Sequence, residues 1–308
     1  MKLMKSNSQN KIAKICYIIW VLLIMCYVNP GFSQDDSASV AATEKPKVKP
    51  VKNTFESVWI IDNQTVMVPV KGTFEMDFQH RFGVWENGYD DFFGLFASTN
   101  IRLAASYAPI DKLFVGVGLT KYNMIWDFNA KYAIKEQMTD NNWPVSLTYY
   151  GNMALDSRPA DNFQHFSDRL TFFNQVIVAR KINEKISAQV APSLSHTNTV
   201  NGYYSEPGKV SPEREHNHFA VALSGRYKLK EAMCLLVNYD QPITKHKSGN
   251  PHPNLSIGME VSTSAHAFQF FFGNYYFLSP QQNNMYNRND YSEGQFLIGF
   301  NITRLWNY

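Results

Sequence analysis

The chain has 308 residues, with 29 Lys and Arg against 26 Asp and Glu. Four of those lysines, Lys2, Lys5, Lys11 and Lys14, precede the first acidic residue and an apolar run from Ile15 to Val28. Without them the balance is 25 against 26, so the basic character belongs to the N-terminus, and there is no electrostatic basis for nucleic-acid binding.

Residues 1–33 read as an export signal: a basic start, the apolar run, then Gly31-Phe32-Ser33 as a small-x-small cleavage site. The run is shorter than the roughly twenty residues that span a bilayer. Cys16 and Cys26 lie in the signal, which leaves Cys234 without an intrachain disulfide partner. Residues 34–53, with alternating Lys, Pro and Val from Lys45 to Lys52, read as a flexible periplasmic linker. Residues 54–72 carry two apolar stretches, Phe55 to Ile61 and Val66 to Val70, around Asp62-Asn63-Gln64. They suit a plug, a hairpin or two further strands.

From residue 73 to 308 the pattern has period two, the spacing of a strand whose two faces meet different surroundings. Phe74, Met76, Phe78 and Phe82 share one parity, and similar runs follow at 101–107, 113–119, 126–134, 145–153, 186–194, 219–227, 235–239, 255–261 and 268–272. Residues 169–181 are apolar without clean alternation. The last segment places Phe296, Ile298, Phe300, Ile302, Trp306 and Tyr308 on one parity. The sum is about twelve strands. The connections alternate between tight turns, such as Ala108-Pro109-Ile110-Asp111, and long polar loops, such as 196–217. Short periplasmic turns alternating with long external loops are the pattern of a membrane barrel. We therefore expect an all-β fold, an antiparallel transmembrane β-barrel of about twelve strands with periplasmic termini. Within the first external loop, Asp90 to Ala97 suits a short helix.

Certain strand and turn words resemble a known family. They are Thr54-Phe55-Glu56-Ser57, Phe78-Gln79-His80-Arg81-Phe82-Gly83, Phe92-Phe93-Gly94-Leu95, Thr99-Asn100-Ile101-Arg102-Leu103 and Asp111-Lys112-Leu113-Phe114-Val115-Gly116-Val117-Gly118. The chain resembles, over roughly 54–308, the Bacteroidota outer-membrane β-barrel proteins of domain-of-unknown-function family 5777. The resemblance implies a barrel in the outer membrane. It implies no activity, because the family supplies no catalytic or binding residues to carry over.

The polar parity holds the charged candidates for the lumen: Glu75, Asp77, Arg81, Arg102, Asp127, Lys131, Arg226, Asp240 and Glu260. Mixed charge of this kind either braces the lumen by ion pairing or lines a polar path. His196, His216 and His218, at the feet of one long loop, are weak candidates for a metal site. His246 and His252 read as solvated loop residues. His165, Ser167 and Asp168 lie together without a motif that fixes a catalytic geometry. No cofactor is expected, and the chain reads as no enzyme. The leading expectation is a narrow channel or binding protein for a small polar solute, in the cell outer membrane after Sec-type export. Its partners would be outer-membrane lipid, the barrel-assembly machinery, and a solute or a periplasmic protein. A non-conducting anchor or envelope-complex subunit is the alternative, and a membrane-embedded lipid hydrolase the third.

Overall fold

The computed structural model describes residues 48–307; the export signal, most of the linker and Tyr308 lie outside the described residues. Twelve strands close into one antiparallel barrel. In chain order they are β1 (Thr73–Val84), β2 (Asn100–Ile110), β3 (Leu113–Thr120), β4 (Ile125–Lys135), β5 (Ser146–Asp156) and β6 (Leu170–Lys181). The second half comprises β7 (Ile186–Thr197), β8 (Asn217–Lys230), β9 (Met233–Pro242), β10 (Asn254–Ser262), β11 (His266–Gly273) and β12 (Leu297–Asn307). Each strand pairs with its sequence neighbours, and β12 closes on β1 with Asn301 opposite Gln79 and Thr303 opposite Asp77. Closure leaves no free sheet edge, the condition for crossing lipid with strands.

The distribution of polarity is inverted relative to a water-soluble domain. Met76, Leu103, Val115, Phe128, Val237, Ile257 and Phe270 are exposed on the outer surface, while Glu75, Arg81, Arg102, Lys131 and Asn238 are buried. Period-two alternation across a closed sheet produces this when the outside solvent is hydrocarbon. Around β11, β12 and β1 the outer face is aromatic: Phe300 contacts Phe78, Phe82 and Phe270, and His80 stacks on it at 5.0 Å.

Strand β6 fails to alternate because both of its faces are apolar. Phe173, Ile177 and Ala179 turn inward and form one cluster with Ala191, Ala222, Leu236, Phe55, Ile60, Ile61 and Val66. The last four belong to the segment before β1. That segment therefore lies inside the barrel, against an apolar strip of the inner wall.

At one end of the barrel most joins are tight turns, the 136–145 connection between β4 and β5 excepted, and the other end carries the longest connections, those between β1 and β2, β7 and β8, and β11 and β12. The first of these carries a short 3₁₀ turn at Trp85–Asp91, displaced N-terminally from the Asp90 to Ala97 expectation. The described end of the linker is not free. Lys49 and Val51 hydrogen-bond to Thr139 and Gln137 of the β4–β5 connection, because two extended polar segments meet there and satisfy each other's backbone groups.

Candidate functional site

The lumen is where this barrel concentrates its polar chemistry. Residues 54–70 cross it, and within them Trp59–Ile60 pairs with Asn63–Gln64 in a minimal hairpin. At its turn Ile61 takes a positive φ of 63°, a conformation that a β-branched residue adopts only at a cost. The barrel wall supplies the compensation: Ile61 N–H donates to Gln269 Oε1 at 3.1 Å, and its carbonyl accepts from Asn301 Nδ2 at 2.6 Å.

Contacts from around the barrel fix the rest of the hairpin. Ser57 Oγ donates to Glu260 at 2.7 Å, Trp59 Nε1 to Asp77 at 3.3 Å, and Asn63 Nδ2 to Asp240 at 2.8 Å. In the other direction, Lys131 Nζ donates to the carbonyls of Val58 and Thr65, Gln189 to that of Gln64, and Asn238 to the Asp62 carboxylate. Arg226 donates to Glu56 at 2.7 Å. Buried polar groups need such partners, and here the inserted segment and the wall satisfy each other.

All nine charged residues named from the sequence lie on this buried face. Five of them, Asp77, Lys131, Arg226, Asp240 and Glu260, hold the inserted segment. Arg102 and Asp127 pair with each other through two 2.8 Å hydrogen bonds. Arg81 donates to Asn301 at 2.9 Å and lies 4.5 Å from the centre of the Phe271 ring. Glu75 is fully buried beside Asp77 and has no ion-pair partner among the described residues.

A second element closes the lumen from the loop end. The β11–β12 connection folds inward as a short helix, α1 (Pro280–Tyr286), of which Gln281, Asn283, Asn284 and Met285 are buried. Gln281 donates to Asn152 at 2.8 Å, Asn284 to Ser193 and Ser195, and Asn283 to Asp62 of the inserted segment at 3.3 Å. Arg214, from the β7–β8 connection, donates to the Met285 carbonyl. The long polar connection at 277–292 suits an external loop by sequence, and no period in it announces the inward turn. The available signal was Ser279-Pro280 opening an amide-rich turn, with Pro at a favoured first helical position.

Two of the three histidines are neighbours, His196 and His216 with ring centres 6.3 Å apart, but the third does not join them. His196 bonds to Asn217 and Asn198, and His216 to the Thr197 carbonyl. His216 precedes β8, so strand parity does not align it with His218, which turns inward and meets His246 at 2.9 Å. His246 is accordingly buried rather than solvated, and His252 lies 3.3 Å from Asp290. Among the described residues no group of three or more His, Cys, Asp or Glu side chains is placed to hold a metal ion. Asp168 accepts the backbone N–H of His165 and so caps a turn.

The chain is similar to several solved structures and to one family model. The NanC porin is similar in structure with a TM-score of 0.47 and 9% identity, covering 76% of this chain and 99% of that one. The KdgM porin gives 0.44 and 9%, over 76% and 99%. An outer-membrane channel from Pseudomonas putida F1 gives 0.46 and 11%, over 78% and 97%. No curated protein matches the sequence. A family model described as a membrane bound beta barrel domain matches residues 55–306. The chain therefore belongs to that family, DUF5777, as a twelve-stranded membrane β-barrel.

Proposed function

We propose that this protein is an outer-membrane channel for a small polar solute, held closed by its own N-terminal segment. The observation that carries the reading is the inserted hairpin at 59–64, bonded to the inner wall through separable polar contacts and not continuous with any barrel strand. A barrel built only as an anchor has no need of a charged inner face matched to a removable segment. With the termini in the periplasm, residues 48–70 enter from that side, and α1 closes the external side. Export would follow the Sec route, with insertion by the barrel-assembly machinery. We assign no catalytic step.

Planar-bilayer conductance tests the reading, after heat-modifiable gel migration has shown that each sample is a folded barrel. The mature chain should be nearly silent, and a chain that lacks residues 48–70 and also carries Arg214→Ala, which frees α1, should give reproducible discrete steps. A folded deletion chain that stays silent would overturn the channel and leave the anchor as the better account.

A further inference from the structure

Glu75 and Asp77 stand two residues apart on β1 and so share its inner face. Both are buried, and their carboxyl groups lie within hydrogen-bonding reach of each other. Asp77 is well supplied with donors. Thr303 Oγ1 donates to its Oδ1 at 3.0 Å, and Trp59 Nε1 of the inserted segment donates to its Oδ2 at 3.3 Å. Glu75 receives no N–H or hydroxyl donor among the described residues, so its hydrogen-bonding neighbour is a second acceptor. Two carboxyl groups bond to each other only when one of them is protonated, and two bare charges buried in contact would repel with little screening. Asp77 already accepts from two residues, which puts the proton on Glu75.

The inserted segment keeps the neighbouring charges from changing this. Lys131 on β4 faces both carboxyls, yet closes an ion pair with neither. Its Nζ turns instead to the carbonyls of Val58 and Thr65 in the segment, at 3.3 and 3.4 Å. Arg102 on β2 also faces the pair, but both its Nε and Nη2 are held by Asp127, and its guanidinium lies 5.4 Å from the centre of the Trp59 ring. Tyr150 on β5 faces Asp77 as well. Withdrawal of the segment admits water and frees Lys131 Nζ from both carbonyls, so that it can turn to Glu75. Both changes favour a fully ionised pair.

We propose that Glu75 and Asp77 form a proton latch on the inserted segment: the closed barrel holds one proton between the two carboxyls, and that proton passes to the lumenal water when the segment withdraws. The inference concerns the regulation of the closure proposed above and rests on that reading. The closed state binds one proton more than the open state. Acid therefore favours closure, and the free energy of opening falls as pH rises. For one proton the open-to-closed ratio changes by at most about ten-fold per pH unit.

Hydrogen exchange of the full mature chain in detergent tests the latch. The readout is the protection of residues 54–70 relative to the intrinsic rate at each pH, with strand amides as the internal reference. Between pH 7 and pH 9, above the ordinary range of histidine, that protection should fall about ten-fold or more while the strands hold. Glu75→Gln keeps the shape and donates its amide N–H to Asp77 as the protonated acid does. It should keep the protection seen at pH 7 across the whole range. Asp77→Asn is a second variant, whose amide can donate to an ionised Glu75, and it should flatten the profile too. Heat-modifiable migration first shows which variants are folded barrels.

Wild-type protection that does not fall with pH would overturn the latch without recourse to any variant. A fall that persists in folded Glu75→Gln or Asp77→Asn would place the proton elsewhere and overturn it as well. Conductance is a separate readout. Protection that falls with pH, in a barrel that stays silent after segment deletion with Arg214→Ala, keeps the latch and removes the channel. Conductance of that deletion chain with pH-independent protection of the full chain does the reverse.

Discussion

Arg226 on the barrel wall and Glu56 on the inserted segment meet side chain to side chain at 2.7 Å, with the arginine almost fully enclosed. The guanidinium also donates to the Asn53 carbonyl at 3.0 Å, so one wall residue fixes the point where the chain turns into the lumen. Lys228 lies farther from Glu56, at 3.9 Å.

Glu56→Ala leaves the Arg226 guanidinium enclosed without its counter-charge. Breaking a buried pair from one side costs about 3–5 kcal/mol, and here the cost falls on the seating of the inserted segment. Hydrogen exchange across residues 54–70 should accelerate while exchange in the strands stays as in the wild type. Combined with Arg214→Ala, which frees α1, the substitution should give bilayer openings that Arg214→Ala alone lacks. Unchanged exchange would mean that the amide contacts at Ile61 and Asn63 suffice to hold the segment.

The inverted polarity makes a second prediction. Ile257 is exposed on the outer face of β10. Ile257→Asp should impair membrane assembly, at a cost of up to about 2 kcal/mol for a carboxylate deep in lipid. Thr171→Asp faces a cavity at the loop end of the barrel and should assemble normally. Gly118 is not a usable inward control, because a Cβ there would lie 2.3 Å from Asp127 Oδ2 and 2.5 Å from Arg102 Nη2. Equal heat-modifiable fractions for Ile257→Asp and Thr171→Asp would overturn the assignment of the outer face.

Strand parity was legible because one face of nearly every strand meets lipid, and lipid enforces alternation. It was illegible in β6 for the same physical reason. Ile177 and Ala179 face Phe55 and Ile60, so an apolar inner face erased the contrast. The inward charged set was readable from period two alone, but its partners were not. Glu56, Asp62 and Asn63 sit in a segment whose apolar residues suit a strand as well as a plug, and they bond to residues more than a hundred positions away. The fold of Pro280–Tyr286 depends on Asn152, Ser193 and Ser195, and no local pattern announces such distant amide and hydroxyl partners.

The setting of His246 predicts a pH-sensitive β9–β10 connection. Its Nδ1 accepts the Glu215 N–H at 3.0 Å, so the neutral ring carries its proton on Nε2 and donates to His218 Nδ1 at 2.9 Å. Burial and the nearby Arg214 guanidinium hold its pKa below the ordinary imidazole value, against a weaker opposing effect of Glu215. A group with a lowered folded pKa stabilises the fold fully above its unfolded value, about 6.5. That contribution is lost as pH falls from there through the folded value. Protonation at Nδ1 would also set two donors against each other at Glu215. Trypsin cleavage after Lys245 and Lys247 should therefore increase relative to a loop-independent site between pH 7 and pH 5. His246→Gln should flatten that dependence. A profile unchanged by the substitution would place the pH response elsewhere.

Arg214 governs the second closure. It is buried, donates to the Met285 carbonyl near the C-terminus of α1, and lies 4.6 Å from the centre of the Tyr286 ring. The last carbonyls of a helix lack internal donors, and a cation there also complements the negative end of the helix dipole. Gly249, at a φ of 56°, permits the approach, since a Cβ on it would stand 2.7 Å from Arg214 Nη2. Arg214→Ala should release the 274–296 connection, seen as faster hydrogen exchange there. Arg214→Lys should recover part of the protection, because it keeps the charge and one donor but not the planar stack on Tyr286. The inserted segment meets this connection where Asn283 donates to Asp62 at 3.3 Å and where Tyr275 joins the Phe55, Ile60 and Ile61 cluster, two links among its many wall contacts. Exchange across 54–70 should consequently stay slow in Arg214→Ala. Loosening of both segments together would mean that the two closures open as one unit, and that removing either is enough to clear the lumen.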